Sequence, residues 1–310
     1  MTRILVAGKS GQVALSLQEL SGENGVEIAC FGRPELDLAL PAINEALIHD
    51  FRPDAIINAA AYTAVDAAED DEVMATAINA HGPAQLARLA AELDVPFLHL
   101  STDYVFDGEK SSAYVETDPV NPQGAYGRSK LRGEEAVLAT NPDAMVFRTA
   151  WVYSPFGKNF VKTMLKLAET RDTLGVVADQ VGNPTYAPDI ARALLEVVQF
   201  VMEKGTVAGL GGIYHLAGSG STSWHGLAVQ TFDFGARHAH PVPAVNALST
   251  EEYPTPAKRP ANSRLDCSKL LDSFGISLPE WKTSLKSCVD RLFADGTFGT
   301  KKTRSIGGHI

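Results

Sequence analysis

Long apolar runs, paired cysteines and an excess of positive charge are all missing from this sequence. No apolar stretch approaches the roughly 18 residues a membrane-spanning helix requires. Met1 runs directly into an apolar segment, without the basic region and apolar core of a secretory leader. A protein that neither enters nor crosses a membrane is expected. The three cysteines, Cys30, Cys267 and Cys288, are odd in number and far apart, which argues against a disulfide framework or a zinc site and favours the cytoplasm. The formal net charge is -10, with Lys and Arg scattered rather than gathered into a stripe. A nucleic-acid partner is excluded on that ground, because counterion release on a phosphate backbone needs clustered cations. A nucleotide-sized ligand is not excluded, since a few local cations and oriented backbone N–H groups hold one or two phosphates in an acidic protein.

What is present is ordinary globular composition, with 45% apolar and 21% charged residues in a chain of 310. That suffices for one large or two modest domains. Short apolar runs alternate with helical periodicity through the first half. Strands are predicted at 3–7, 26–31, 55–58, 96–101 and 144–148. Helices are predicted at 12–20, 41–51, a long stretch ending near 93, and 125–138. Ile4-Leu5-Val6 and Ile56-Ile57 are the continuous apolar runs of strands covered on both faces. The expected fold is α/β, a doubly wound parallel sheet of the Rossmann type with a smaller mixed α/β substrate lobe.

Residues 1–150 are assigned to a dinucleotide-binding domain to which some later segments return, 151–299 mainly to the second lobe, and 300–310 to a loose tail without apolar period. In the second lobe the pattern gives helices near 160–169 and 189–202, a strand near 174–177 and then a Gly-rich stretch. Ser221-Thr222-Ser223 reads as a helix cap before Trp224. Pro254, Pro256 and Pro260 mark an extended loop.

Three groups of residues carry chemistry. Gly8-Lys9-Ser10-Gly11-Gln12-Val13-Ala14 leaves a strand and opens a helix, where Gly8 permits a tight turn and Gly11 lets a pyrophosphate approach the backbone. The second strand ends in Phe31-Gly32-Arg33, with no carboxylate to meet a ribose 2'-hydroxyl. Arg33 is either a 2'-phosphate ligand or a solvated loop residue; the first favours NADPH, with NADH possible. Tyr126 and Lys130 stand four residues apart, on one face of a helix. An ammonium beside a phenol lowers its pKa and makes it an acid–base group, so Lys130 is expected to activate Tyr126. Thr102, or Ser101, at the carboxyl end of the fourth strand faces the same crevice and can bind a substrate oxygen.

Taken together with Asn58-Ala59-Ala60-Ala61 ending the third strand, these motifs resemble the extended short-chain dehydrogenases and, within them, the dTDP-4-dehydrorhamnose reductase family. The resemblance spans roughly 3–295. It rests also on Tyr62-Thr63-Ala64-Val65-Asp66, on Ser101-Thr102-Asp103-Tyr104-Val105-Phe106-Asp107-Gly108, on Phe147-Arg148-Thr149-Ala150-Trp151, and on the run from Tyr253 to Asp266. It implies NADPH-dependent reduction of a 4-keto sugar attached to dTDP. Tyr126 would be the proton donor, and Lys130 would hold the nicotinamide ribose. Gly8 to Val13 would line the pyrophosphate, Asp37 and Leu38 the adenine, and Ala60, Ala61, Tyr62 and Thr63 the length of the cofactor. Thr102, Asp103 and Tyr104 would touch the sugar, with Trp151 against its deoxy face, Arg259 at the diphosphate and Asn262 among the substrate-binding residues. Trp151 also reads as a packing residue between lobes. Two other functions stay open: reduction of another dTDP-4-keto-6-deoxysugar, and a catalytically silent NADP-binding regulatory subunit like that of methionine adenosyltransferase.

Ala14 stands where such turns carry a third glycine, and Ser16 where some relatives carry a glutamate that helps bind magnesium between subunits. No metal is expected, and the chain is expected to be a monomer or homodimer. His238 and His240 read as a surface loop, and Ser219 lacks the strand–helix elbow of a hydrolase nucleophile.

Overall fold

The computed structural model describes residues 1–299. The expected tail lies outside them. In chain order the first half contains β1 (Thr2–Ala7), α1 (Gln12–Glu19), β2 (Val26–Phe31), α2 (Glu45–Phe51), β3 (Ala55–Asn58), α3 (Glu72–Thr76), a π-helical turn (Ala77–His81), α4 (Gly82–Glu92), β4 (Phe97–Thr102), α5 (Ala125–Thr140) and β5 (Met145–Thr149). The second half contains β6 (Val152–Tyr153), α6 (Phe160–Ala168), β7 (Thr173–Val177), β8 (Val181–Gly182), β9 (Thr185–Tyr186), α7 (Ala187–Lys204), β10 (Gly212–His215), β11 (Thr222–Ser223), α8 (Trp224–Ala236), β12 (Ala244–Leu248), β13 (Asn262–Ser263), α9 (Ser268–Phe274) and α10 (Trp281–Ala294).

Six strands form one parallel sheet in the order β10-β5-β4-β3-β1-β2. The order reverses between β1 and β3, so the crevice beyond their carboxyl ends is the topological switch point where such sheets bind ligands. One face is sealed by Val13, Ala14 and Leu17 of α1, by Ile190, Leu194 and Val197 of α7, and by Leu270 and Phe274 of α9. The other is sealed by Ile48 of α2, Leu86 and Leu89 of α4, and Val137 of α5. With both faces covered, β3 and β5 are buried at every residue, which explains the apolar runs Ala55-Ile56-Ile57 and Met145-Val146-Phe147 that begin them. After residue 150 the chain comes back to this sheet: α7 packs on α1, and β10 extends the sheet beyond β5.

The rest is built on α6, α8 and α10, packed around Tyr153, Leu165, Leu227, Trp281 and Leu285. Small strand pairs tie its loops together, β7 with β12, β8 with β11 and β13, and β6 with β9.

Several sequence expectations are corrected. The helix expected from Pro41 begins at Glu45, because the Asn44 side chain accepts from Leu47 N and fixes the start there. The long helix ending near 93 is interrupted by the π turn. Strand β10 occupies the stretch read only as Gly-rich, and α9 and α10 are not anticipated. His238 and His240 do not lie in an open loop. His240 is buried with its ring on the Leu165 carbonyl (2.9 Å), and His238 stacks on Phe293 and meets Asp290 at 2.8 Å. The cap before Trp224 is as expected, Ser223 accepting from Gly226 N.

Candidate active site

The first βα turn is pinned by its neighbours. Gly8 has φ +125, donates to the Phe31 carbonyl at 2.7 Å, and passes so close to the β3 end that a Cβ would sit 3.2 Å from Ala59 C. Gly11 caps α1 without a side-chain hydrogen bond, leaving the first-turn N–H groups of that helix to an outside acceptor. Gln12 fastens the turn to the second half of the chain. Its Oε1 accepts from Ser154 Oγ (2.8 Å) and Asn159 Nδ2 (2.9 Å), and its amide donates to Val152 O. Val13 is buried behind the turn, Ser10 is exposed, and Lys9 pairs with Glu35 at 3.2 Å. Arg33 is exposed. Asp37 accepts from Ala39 N, so its carboxylate closes its own turn. Leu38 is a buried residue packed against Gly82, where a Cβ would come within 2.6 Å of it.

The loop after β3 is held by two buried asparagines. Asn58 Oδ1 accepts from Ala60 N at 3.1 Å. Asn79, inside the π turn, accepts from Tyr62 N (2.8 Å), donates to Tyr62 O (3.2 Å) and donates to Ser129 Oγ (2.9 Å) on α5. Ala61 and Tyr62 are thereby fixed along the crevice, with Thr63 exposed beside them. The π turn touches α5 where Gly133 stands, since a Cβ there would lie 2.0 Å from Asn79 O. Helix α5 has no side chain at its Gly124 cap; Glu69 substitutes, accepting from Ala125 N at 2.9 Å. Gly127 lets the helix start lie on the end of β4, because a Cβ would sit 2.3 Å from Tyr104 O.

That contact brings Tyr126 to Thr102, Asp103 and Tyr104. The Tyr104 and Tyr126 rings meet edge to face with centroids 5.5 Å apart. Burial pushes the Tyr126 phenol up to about 12, and the Thr102 hydroxyl beside it acts in the opposite direction. Thr102 Oγ1 in turn donates to Asp103 Oδ1 at 3.0 Å. Asp103 is buried, its Oδ2 has no hydrogen-bond partner among the described residues, and desolvation raises its carboxyl to about 6.

Lys130 Nζ donates to the Leu100 carbonyl at 2.6 Å and lies 3.4 Å from His99 Nε2. Burial brings its own pKa down to about 8, with Glu134 acting the other way. Behind it, Arg148 of β5 grips Glu134 of α5 with Nε–Oε1 2.9 Å and Nη2–Oε2 2.6 Å, and Ser101 donates to the same carboxylate at 2.5 Å.

The expected substrate residues divide. Trp151 has φ +48, stacks on Trp224 with centroids 3.6 Å apart, and covers Gly182, where a Cβ would strike its ring at 2.5 Å. Arg259 is engaged by Asp66 at 2.8 Å, but its Nη1 is buried without a partner among the described residues. Asn262 gives both amide hydrogens to the Lys110 and Ser112 carbonyls (2.7 Å each) and accepts from Arg264 at Oδ1, which ties its run to the loop after β4.

Sequence reasoning missed Asn79, His99, Glu134 and Arg148 as parts of this site. A signal was present for two of them: His99 and Arg148 are polar residues inside strands that are otherwise continuously apolar, and a buried polar group needs a partner. Among the described residues no group of three or more His, Cys, Asp or Glu is arranged to hold a metal, and no helix is long and apolar enough to cross a membrane. Ser16 is buried and donates to Gln12 O.

The sequence matches the RmlD substrate binding domain family over residues 1–294. It is 48% identical over 294 residues to a dTDP-4-dehydrorhamnose reductase of Sinorhizobium fredii, covering 95% of this chain and 99% of that one. The fold superposes on the dTDP-4-dehydrorhamnose reductase of Clostridium acetobutylicum with TM-score 0.86 and 41% identity, covering 94% of this chain and 100% of that one. The Bacillus anthracis dTDP-4-dehydrorhamnose reductase, solved in complex with NADP, gives TM-score 0.86 at 32% identity with the same coverage. With the switch-point crevice, the glycine turn and Tyr126 and Lys130 on one helix, the chain belongs to the RmlD substrate binding domain family.

Proposed function

We propose that this chain is an NADPH-dependent dTDP-4-dehydrorhamnose reductase, reducing the 4-keto group of dTDP-6-deoxy-L-lyxo-4-hexulose to give dTDP-L-rhamnose. NADH is the alternative donor. The observation that carries the reading is the meeting of the Tyr126 phenol with the Thr102 hydroxyl at the carboxyl end of β4, beside the sheet's switch point.

The glycine turn fits a dinucleotide: an uncapped α1 N-terminus faces outward, and Gly8 leaves no room for a side chain. Gly8 to Val13 would hold the pyrophosphate, Arg33 a 2'-phosphate, the Asp37 loop the adenine end, and Ala60 to Thr63 the length of the molecule. The cofactor supplies hydride when bound. Thr102, its O–H turned from Asp103 to the substrate, donates to the carbonyl oxygen and orients it. Tyr126 gives that oxygen its proton as the carbonyl carbon is reduced. Lys130, one turn along α5, holds the nicotinamide ribose near the phenol.

Asp103 accepts from a sugar hydroxyl with its free Oδ2. Arg259 turns its unpartnered Nη1 to the diphosphate, a role for which a planar fork of N–H donors is suited. Trp151, with one face on Trp224, offers the other to the C–H groups of the deoxysugar. The enzyme acts in the cytoplasm as a monomer or homodimer. Residues 1–150, with β10, α7 and α9, form the dinucleotide-binding part and the remainder the sugar-nucleotide lobe.

The test is consumption of NADPH with the keto-sugar generated in place from dTDP-glucose by a dehydratase and an epimerase, with the product identified. Oxidation giving dTDP-L-rhamnose supports the reading. Tight cofactor binding without turnover removes it.

A further inference from the structure

His99 is completely buried on β4, between Asn58 of β3 and Lys130 of α5, and nothing assigned so far to the reaction requires it. The hydrogen bonding around its ring is directional. Asn58 Oδ1 is committed to the Ala60 N–H, which fixes the amide's orientation and turns Nδ2 toward the ring. Asn58 Nδ2, 2.9 Å from His99 Nδ1, is a donor, so Nδ1 must present its lone pair. A neutral imidazole then carries its one proton on Nε2. Burial keeps the ring neutral, holding its pKa well below 6.5, and the Lys130 charge acts in the same direction.

The Nε2–H therefore points at Lys130 Nζ, 3.4 Å away. A protonated lysine there sets donor against donor. A neutral amine, by contrast, accepts the Nε2–H with its lone pair while still donating to the Leu100 carbonyl at 2.6 Å. Burial of the ammonium acts in the same direction as His99, whereas the neighbouring polar groups do not: Leu100 O favours any donor, and Glu134, one turn along α5, favours the ammonium. Arg148 of β5 is itself occupied by Glu134. Phe97 stacks near His99 and is apolar.

We propose that His99 is a positioning residue for the reduction: locked by Asn58 as the Nε2–H tautomer, it opposes a proton on Lys130 and so sets the pH at which the lysine beside Tyr126 changes charge. The functional part rests on Lys130 belonging to the reductase site; the tautomer and the titration of Lys130 do not, and they can be read without turnover.

The first measurement is nitrogen NMR of the full-length wild-type chain with labelled histidine, His99 being identified by its disappearance in His99→Phe. A protonated Nε2 and bare Nδ1 are expected; a protonated Nδ1 overturns the proposal. The second is the titration of Lys130 followed by carbon NMR of labelled lysine, in wild type and His99→Phe, with Lys130→Arg for assignment. Removing an opposing donor should raise the Lys130 midpoint by about one pH unit. Were His99 instead an acceptor for the ammonium, its loss would lower the midpoint; a fall or no change overturns the proposal. If His99→Phe does not fold, Lys130→Arg and the remaining histidines assign the wild-type spectrum by elimination, and the tautomer alone decides. Where the chain is active, the alkaline limb of kcat/KM should move with the Lys130 midpoint. Movement of the midpoint without movement of that limb would separate the wiring of Lys130 from its part in the reaction, and would overturn the functional half of the proposal.

Discussion

Glu134 and Arg148 form a buried two-pronged ion pair directly behind the helix that carries Tyr126 and Lys130, with side-chain exposures of 2% and 4%. Such a pair contributes little net stability while both partners are present, because desolvation offsets the attraction, but losing one partner strands the other. Glu134→Gln should therefore destabilise the fold by about 3–5 kcal/mol. Denaturant unfolding measures this. Adding Arg148→Met should recover much of the loss; strictly additive losses would show that the two residues do not depend on each other.

Tyr126→Phe removes the proton donor and keeps the ring that packs on Tyr104. Turnover should fall by about 10²–10⁴-fold, with NADPH affinity nearly unchanged. Steady-state kinetics and a cofactor titration check this, and unaltered turnover would take Tyr126 out of its role.

Asp103 has a folded-state pKa of about 6 against an ordinary 3.8. A raised carboxyl pKa means that the folded state holds its proton longer, so stability falls as pH rises from about 4 to 6 and stays lower above that. At about 1.4 kcal/mol per unit the buried charge costs about 3 kcal/mol at neutral pH. Asp103→Asn should thus be more stable than wild type at pH 8, lose that advantage near pH 4, and bind the sugar nucleotide less well. A stability difference that does not change with pH would count against a buried, ionised Asp103.

Arg33 is exposed just beyond β2, in a turn whose Glu35 is paired with Lys9. Arg33→Ala should weaken NADPH binding about 10–100-fold, the worth of a charge-assisted hydrogen bond, and leave NADH binding nearly intact. Equal losses for the two cofactors would leave Arg33 as a surface residue.

The central sheet was legible because its inner strands carry short apolar runs: Ala55–Asn58 is buried at every residue, while the half-buried edge strand Val26–Phe31 was marked by its β-branched and aromatic residues. Strand β10 was not, being four residues long and entered through Gly211 and Gly212 rather than through an apolar run. The start of α2 was misplaced because Pro41 suits a first helical position, while the Asn44 side chain decides the matter three residues later.

In the site, Tyr126 and Lys130 on one helix face, with Thr102 or Ser101 at the end of the fourth strand, were legible from motif order, whereas Asp103 came only through the family resemblance. The direction of the Lys130 side chain could not be read, since it depends on a carbonyl of β4 and a histidine that local spacing does not reveal. The resemblance named Asn262 as substrate-binding; its hydrogen bonds to the Lys110 and Ser112 carbonyls, 152 and 150 residues away, could not be read from local sequence.

The π turn at Ala77–His81 makes the spacing of this segment a matter of counting. A π turn accommodates one residue more than an α turn, and each residue rotates a helix by about 100°. A chain one residue shorter here could run as unbroken α-helix from Glu72 to Glu92, and Asn79 would swing away from Tyr62 and Ser129 while every recognisable motif stayed in place. Homologous genes that differ by a single codon in this stretch would thus be expected to differ in how the crevice wall is held, even where their alignments show the same Tyr and Lys.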